Sequence, residues 1–260
     1  MKIVVCAKQV PDTNEVRIDQ KTGTLIREGV PAIMNPDDKA GLEAALQIKD
    51  KTGAEVTVIT MGLPAAEEIL REAMAMGADK GVLVTDRPFG GADTLATSNT
   101  LAAALKTMEY DLIITGRQAI DGDTAQVGPQ IAEHLGIPNI SYVQKVVEVT
   151  DDSITVERQY DDGYHVEKAQ MPCLITALGD LNKPRYMTPG GIFDAFKEDI
   201  QIITRKDVDI ADEKIGKAGS PTNVAKSFPK PVKAAGEKVE LDADASAEYI
   251  LGKLKEKHII

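Results

Sequence analysis

The first half of the chain alternates short apolar runs with longer amphipathic stretches, and this alternation limits its possible folds more than any other feature. The runs are rich in β-branched residues and lack a polar face, which is typical of strands buried on both sides of a sheet. They are KIVVCAK (2–8), EVTVIT (55–60), GVLVT (81–85) and DLIIT (111–115). Strands that alternate with helices predict an α/β fold, a parallel sheet flanked by helices.

Four helices are expected between and after these strands. Their apolar residues recur with helical spacing over residues 36 to about 49, 64–76, about 93–108 and 124–135. Asn35 stands where an N-cap precedes a proline at the first helical position. Gly77 is suited to end the second helix.

The rest of the chain departs from the alternation in three places. NEVRIDQKTGTLIREG, within residues 12–30, predicts an inserted hairpin that turns at residues 21–23. Residues 139–180 contain four strand-like runs and predict an antiparallel meander, which would extend the sheet edge. We therefore expect an α/β domain over residues 1–206.

Residues 207–260 are expected to form a C-terminal arm. The arm begins with a stretch rich in Lys, Pro, Gly and Ala and ends in the helix-like DASAEYILGKLKEKHII, with Ala245, Tyr249 or Ile250, and Leu254 on one stripe. Such an arm either embraces a partner subunit or packs on its own domain.

Two loops that follow strands are candidates for a ligand site, because ligands of open α/β sheets bind beyond the carboxyl ends of the strands. In the loop after residue 115, Gly116 allows a turn, and the amides of residues 124–127 are expected to approach a phosphate as the first turn of a helix. Asp121 would accept hydrogen bonds from ribose hydroxyls or an adenine amino group, and Asp123 either joins it or caps the helix. The second loop contributes Gly90, Gly91, Asp93, Thr94 and Thr97.

Several classes of protein are disfavoured. A formal charge of −11 argues against nucleic-acid binding. The sequence has no apolar run long enough to span a membrane and no pattern of a signal peptide, so we expect a cytoplasmic protein. His134, His165 and His258 are scattered and the two cysteines are far apart, so no metal site is predicted. With no evident catalytic side chain, the chemistry would belong to a bound cofactor.

Five collinear motifs resemble the beta subunit of electron transfer flavoproteins. They are CAKQVPD (6–12), MNPDDKAGLEAAL (34–46), AMAMGAD (73–79), TGRQAIDGDTAQVGPQ (115–130) and LNKPRY (181–186). The resemblance implies a heterodimer with an alpha subunit, a fold similar to the adenine nucleotide α-hydrolase type, and an adenine nucleotide in the cleft. It assigns nucleotide binding to Cys6, Asn35, Asp38, Met61, Thr115, Gly116, Arg117, Gln118, Ala119, Ile120, Asp121, Gly122, Asp123, Thr124, Ala125, Gln126 and Val127.

Members of this family hold either structural AMP or a second FAD in the beta subunit. Gly91, Asp93, Thr94 and Thr97 resemble the electron-bifurcating type and would contact the flavin half or its diphosphate, so FAD is favoured over AMP. That type implies hydride transfer from NADH to the beta-subunit flavin, with one electron passing to ferredoxin or flavodoxin and the other, through the alpha-subunit FAD, to an acyl-CoA dehydrogenase. The alternative is a non-bifurcating carrier that holds AMP. The long arm disfavours a stand-alone nucleotide sensor of the universal-stress type.

The segment PRYMTPGGIFDAF (184–196) resembles the dehydrogenase-recognition loop of the family followed by a helix. It has Pro189-Gly190 where the mitochondrial pattern has Leu-Pro, so Met187 or Ile192 would replace the usual anchor; a plain turn is the alternative. The residues implied in partner binding are Arg185, Tyr186, Met187, Thr188, Pro189, Gly190, Gly191 and Ile192.

Overall fold

The computed structural model describes residues 1–12, 31–225 and 235–260. The hairpin expected within residues 12–30 lies outside the described residues, except for Asp12. The chain forms two compact units, Met1–Ala225 and Lys226–Ile260.

Nine strands form one sheet, and its order confirms the α/β prediction. The order is β11-β5-β4-β1-β6-β10-β7-β8-β9, parallel from β11 through β7 and antiparallel from β7 to β9, while β2 and β3 make a separate antiparallel pair. The strands are β1 (Lys2–Cys6), β2 (Gln9–Pro11), β3 (Ala32–Met34), β4 (Glu55–Met61), β5 (Lys80–Val84), β6 (Leu112–Gly116), β7 (Asn139–Val149), β8 (Ser153–Tyr160), β9 (Gly163–Gln170), β10 (Cys173–Ala177) and β11 (Gln201–Ile203).

The last strand of the expected meander is not part of it. β10 is parallel to both of its neighbours, β6 and β7, and lies between them inside the sheet. All five of its residues are buried and four of them are apolar, which is typical of an interior parallel strand. The antiparallel extension therefore consists of β7, β8 and β9 alone.

Six α-helices are present in the described residues, with bounds close to those expected. They are α1 (Pro36–Thr52), α2 (Glu67–Met76), α3 (Thr94–Leu105), α4 (Val127–Leu135), α5 (Pro189–Ala195) and α6 (Ala243–Glu256). A single 3₁₀ turn, Pro64–Ala66, precedes α2. α4 begins three residues later than expected because Asp123 and Ala125 have φ values of 47° and 52°, which a right-handed helix cannot include.

The central strands of the sheet are buried on both faces. Ile3 and Val5 of β1 pack in the same cluster as Leu42 of α1, whereas Val4, which points the other way, packs in a second cluster with Leu105 of α3. This arrangement places the N-termini of α3 and α4 near the carboxyl ends of the central strands.

Residues 207–225 belong to the first unit, so the expected boundary at residue 206 is corrected to 225. Val208 and Ile215 are buried in the core on the α3 side of the sheet. Two apolar residues in a polar stretch do not produce the periodicity of a helix or a strand. The sequence therefore predicted an arm there.

The second unit contains α6, as expected. The Asp242 side chain caps α6 by accepting a hydrogen bond from the Ala245 N–H. Ile250 and Leu251 are exposed on the helix. Among the described residues no helix is both long and apolar enough to cross a bilayer.

Candidate functional site

A cavity of about 380 Å³ opens where β1, β4 and β6 end and where α3 and α4 begin. This is where ligands of open α/β sheets bind. The expected site residues that line it are Cys6, Asp38, Met61, Asp93, Thr94, Thr97, Thr115, Gly116, Arg117, Gln118, Ala119, Gly122, Thr124, Ala125, Gln126 and Val127.

Six residues that the sequence did not single out also line the cavity, namely Ala7, Lys8, Ile59, Ala92, Leu101 and Gly128. Ala7 and Lys8 directly follow β1, so the rule that sites form beyond strand ends could have identified them. Leu101 lies in a helical apolar stripe and gave only the signal of a core residue.

Six expected residues do not line the cavity, namely Asn35, Gly90, Gly91, Ile120, Asp121 and Asp123. Asn35 occupies the N-cap position of α1, but its side chain makes no capping hydrogen bond. Its Nδ2 donates to the Gln118 carbonyl at 2.8 Å and its Oδ1 accepts from the Ile120 N–H at 3.1 Å. Asn35 thus anchors the 116–126 loop through two backbone groups of that loop.

The two aspartates of the 116–126 loop bind protein partners. The Asp121 Oδ1 accepts from the Lys8 Nζ at 2.6 Å, and the Asp121 side chain is 8% exposed. The Asp123 Oδ1 accepts from the Gln118 Nε2 at 2.8 Å. The expectation that Asp123 caps α4 is wrong, because Gln126 is at the N-cap position. Asp121 acts on the cavity through Lys8 and not by lining it.

Asp38 lines the cavity and connects α1, to which it belongs, with the ends of β1 and β6. Its Oδ1 accepts from the Gly116 N–H at 2.9 Å and its Oδ2 from the Lys8 N–H at 2.7 Å. Burial raises the pKa of Asp38 to about 7, against these hydrogen bonds, which favour the carboxylate. Burial, with a smaller effect of Asp38, also raises the pKa of the Cys6 thiol to about 12, so Cys6 contributes a neutral, apolar wall.

Residues 124–126, in the loop before α4, line the cavity and have an unusual backbone conformation. Ala125 is left-handed and Gln126 has φ −107° and ψ −34°, a left-then-right succession that forms an anion-binding concavity. Among the described residues, no acceptor is hydrogen-bonded to the N–H groups of residues 124–126. A phosphate placed there would therefore meet unpaired donors next to a helix N-terminus.

The start of α3 also lines the cavity. The Asp93 Oδ1 caps α3 by accepting from the Ala96 N–H at 3.0 Å. The Thr94 Oγ1 donates to the Gln126 Oε1 at 2.8 Å and so bridges the two loops. Gly90 and Gly91 instead contact the 216–220 segment: the Gly90 carbonyl accepts from the Lys217 N–H at 3.1 Å.

Arg117 is fixed at the edge of the cavity by two neighbours. Its Nε lies 3.4 Å from the Asp37 Oδ2 and its guanidinium lies 5.9 Å from the centre of the Tyr142 ring. Burial raises the pKa of Asp37, and the charge of Arg117 opposes that rise. Both the Arg117 Nε and the Asp37 Oδ2 are buried without a hydrogen-bond partner among the described residues.

The expected partner-binding segment is divided into an anchored start and an exposed helix. The Arg185 guanidinium binds Glu43, with the Nε–Oε2 distance at 2.9 Å, and also Asp50 at 2.7 Å, so its charge is paired within the chain. The Thr188 side chain caps α5 by accepting from the Gly191 N–H, one of the residues expected to bind a partner.

The exposed surface of this segment is aromatic. Tyr186 is 90% exposed, Phe193 72% and Phe196 71%, while the expected anchors Met187 and Ile192 are less exposed. Met187, Ile192 and Phe196 line a groove of about 520 Å³ against α2. The sequence analysis did not name the two phenylalanines as partner-binding residues, although their helical spacing, i and i+3, is visible in the sequence.

The chemistry of the cavity suits an adenine nucleotide. Cys6, Ile59, Met61 and Leu101 offer apolar contact for a base, and the 124–126 N–H groups offer donors to a phosphate. None of the lining residues in the described part of the chain is aromatic, so binding relies on aliphatic packing and backbone hydrogen bonds.

Comparison with known proteins identifies the family of the chain. A model of the electron transfer flavoprotein domain matches residues 22–208. The chain is 56% identical to the electron transfer flavoprotein subunit beta of Clostridium acetobutylicum over 260 residues, with all of both chains covered. It is 55% identical over 263 residues to the caffeyl-CoA reductase-Etf complex subunit CarD of Acetobacterium woodii, and 46% over 268 residues to the acryloyl-CoA reductase electron transfer subunit gamma of Anaerotignum propionicum, again with full coverage of both chains. The chain therefore belongs to the electron transfer flavoprotein family, as a beta subunit.

Proposed function

We propose that this chain pairs with an alpha subunit, holds FAD in the cavity, and takes part in NADH-dependent electron bifurcation. Ferredoxin or flavodoxin would receive one electron, and an acyl-CoA dehydrogenase would receive the other through the FAD of the alpha subunit. Bound FAD would supply hydride acceptance and one-electron transfer. The observation that carries the proposal is the set of N–H groups at residues 124–126 that have no partner among the described residues, in a cavity that Thr94 and Thr97 also line.

The arrangement favours a dinucleotide over AMP because two helices begin at the same cavity. The α4 side offers the 124–126 N–H groups, and the α3 side offers the Thr97 hydroxyl, while the Thr94 hydroxyl already donates to the Gln126 Oε1. The single phosphate of AMP would bind the 124–126 N–H groups and leave the α3 side of the cavity without a ligand. A diphosphate can use both.

Arg117 is proposed to act on the cofactor through its charge. The ion pair with Asp37 and the contact with the Tyr142 ring hold the guanidinium at the cavity edge. A fixed cation stabilises electron density that develops nearby, because it needs no reorientation during the reaction. Arg117 would thus favour reduction of a cofactor held beside it.

The names of the relatives support the partner assignment. One relative is named as part of a caffeyl-CoA reductase-Etf complex and another as an electron transfer subunit of acryloyl-CoA reductase. Both names pair an electron transfer subunit with an enzyme that acts on an acyl-CoA. We extend that pairing to this chain and propose an acyl-CoA dehydrogenase as its acceptor.

The cofactor proposal is tested by co-expressing the chain with its alpha subunit and extracting the nucleotides from the purified heterodimer. We expect two FAD per heterodimer. One FAD and one AMP would instead establish the non-bifurcating carrier, and an absence of adenylate beyond the alpha-subunit FAD would refute the cavity assignment.

Docking of the dehydrogenase is expected to depend on Phe193. Replacement of Phe193 by serine removes an exposed ring from the aromatic surface, and loss of an interface anchor costs about 2 kcal/mol. We expect the affinity for the dehydrogenase to fall roughly thirtyfold, measured by titrating the heterodimer in the electron-transfer assay, at unchanged flavin content. Ile202→Ser is the matched control, because Ile202 is 57% exposed on β11, outside the aromatic surface. Equal affinities of the two variants would contradict the docking role.

A further inference from the structure

Residues 215–222, here named the latch segment, pack directly on the backbone of the 88–93 loop. Gly216 has φ 53°, and a Cβ at this position would lie 2.0 Å from the Pro88 carbonyl oxygen. The next residue, Lys217, donates its N–H to the Gly90 carbonyl. The close approach requires glycine here, so the contact between the two segments is built into the backbone.

Asp93 connects the latch segment to α3. Its Oδ1 is used by the N-terminus of α3, through the Ala96 N–H. Its Oδ2 accepts from the Thr222 N–H at 3.1 Å and from the Thr222 Oγ1 at 2.7 Å. The two oxygens of one carboxylate therefore serve the helix and the latch segment separately.

Ser220 completes this connection from the other side of Asp93. The Asp93 N–H donates to the Ser220 Oγ at 2.8 Å, while that hydroxyl donates to the Gly216 carbonyl at 2.7 Å. Burial opposes ionisation of Asp93, but the hydrogen bonds from Ala96 and Thr222 outweigh it and lower the pKa of this carboxyl. Hydrogen bonds thus fix both the backbone N–H and the side-chain carboxylate of Asp93.

The contacts continue from Asp93 into the cavity. Thr94, the next residue, lines the cavity and donates to the Gln126 Oε1 at 2.8 Å. Gln126 in turn carries one of the unpaired N–H groups proposed to bind phosphate. A shift of Asp93 would therefore move a cavity wall and its bridge to the phosphate-binding loop together.

We propose that Thr222 and Ser220 are positioning residues of the nucleotide cavity, acting through Asp93, and that occupation of the cavity and ordering of the latch segment stabilise each other. The inference rests on the proposed adenylate site. Because coupling between two sites is reciprocal, bound nucleotide must strengthen the latch contacts as much as these contacts strengthen binding.

The test uses the heterodimer with the alpha subunit, stripped of nucleotide and titrated with AMP and with FAD as probes. Thr222→Val removes the hydroxyl and keeps the backbone N–H, whereas Thr222→Ser keeps both donors. We expect Thr222→Val to weaken binding of the probe about tenfold, as for the loss of a hydrogen bond to a charged group, and Thr222→Ser to restore it. Should Thr222→Val fail to assemble, Ser220→Ala is the second variant, with the same expected loss.

Thr204→Val is the matched control. The Thr204 N–H and Oγ1 donate to the Asp207 Oδ2 at 2.8 and 2.7 Å, which is the same pair of hydrogen bonds, but neither residue lines the cavity. We expect this variant to bind as the wild type does. If Thr204→Val lost as much affinity as Thr222→Val, the effect would be one of general stability, and the inference would be overturned.

Hydrogen exchange gives the reciprocal measurement. Amides of the latch segment in the wild type should exchange more slowly when AMP or FAD is added, and this protection should diminish in Thr222→Val. A wild type that binds the probe, together with a Thr222→Val variant of equal affinity, would overturn the positioning role alone. A wild type that binds neither probe would overturn the adenylate proposal and, with it, this inference.

Discussion

Replacement of Gly116 by alanine is expected to destabilise the heterodimer strongly and to release the nucleotide that we propose for the cavity. A Cβ at this position would lie 2.2 Å from the Asp38 Oδ1 and 2.8 Å from the Asp37 Cβ. The backbone must move away, which breaks the buried hydrogen bond from the Gly116 N–H to Asp38. Overpacking and loss of a hydrogen bond to a buried carboxylate together cost about 3 to 5 kcal/mol.

The measurement is the denaturant midpoint of the heterodimer, with nucleotide content determined on the same preparation. Gly122→Ala is the matched control, since Gly122 belongs to the same loop and lines the same cavity, but a Cβ there would have no neighbour within 4 Å. The control should change the free energy of unfolding by less than about 0.5 kcal/mol. A Gly116→Ala heterodimer that matched the Gly122→Ala control in midpoint and nucleotide content would show that the loop does not depend on the contact with Asp38.

Replacement of Arg185 by methionine is expected to cost about 3 kcal/mol of unfolding free energy at neutral pH, because removal of one partner leaves a buried charge unpaired. The Glu43 side chain is only 5% exposed, and both of its oxygens accept hydrogen bonds from Arg185. The matched control, Lys197→Met, removes an ion pair with Asp194 in which both side chains are 71% exposed, and is expected to cost less than about 1 kcal/mol.

The cost of Arg185→Met should depend on pH in a defined direction. Burial opposes ionisation of Glu43, but the hydrogen bonds from Arg185 outweigh it, and its pKa is lowered. In the wild type this pair stabilises the fold above the ordinary glutamate pKa of about 4.3, and the contribution is lost as the pH falls through the lowered value. In the variant, burial is opposed only by the hydrogen bonds from the backbone N–H of residue 185 and from the Gln47 Nε2, so Glu43 is protonated at higher pH than in the wild type and the penalty shrinks on acidification.

Unfolding measured at neutral and at acid pH tests this direction, and the double variant Arg185→Met with Glu43→Gln gives a second test. Removing the unpaired charge should recover most of the stability at neutral pH. A penalty that stays the same at both pH values, with no recovery in the double variant, would show that Arg185 acts by packing and not by charge.

Local sequence was sufficient for most of the architecture. β-branched runs separated by amphipathic stretches predicted β1, β4, β5 and β6 and the helices around them, and the collinear motifs predicted the family. These features depend on residues within a few positions of one another, so they are visible as periodicity and as motifs. The rule that sites form where parallel strands end likewise predicted the region of the cavity.

The roles of individual side chains were less accessible. Asp121 and Asn35 were given direct roles in binding and capping, yet one binds Lys8 and the other binds the backbone of residues 118 and 120. Arg185 was expected to bind a partner, and its pairing with Glu43, 142 residues away in sequence, was not foreseen. A sequence shows which groups can form hydrogen bonds, but the choice among acceptors depends on which of them the fold brings within about 3 Å.

The sequence by itself determined that the chain forms a parallel α/β sheet, and it pointed to the strand ends where the cavity lies, because hydrophobic periodicity and the chemistry of loops act over short distances. Only the tertiary structure decided that β10 lies between β6 and β7 and that residues 207–225 return to the core. It also decided that Asp93 is shared between α3 and Thr222, 129 residues further along the chain. These arrangements arise from strand pairing and side-chain contacts between distant segments, and the free energy that selects them is gained only when the whole sheet is assembled.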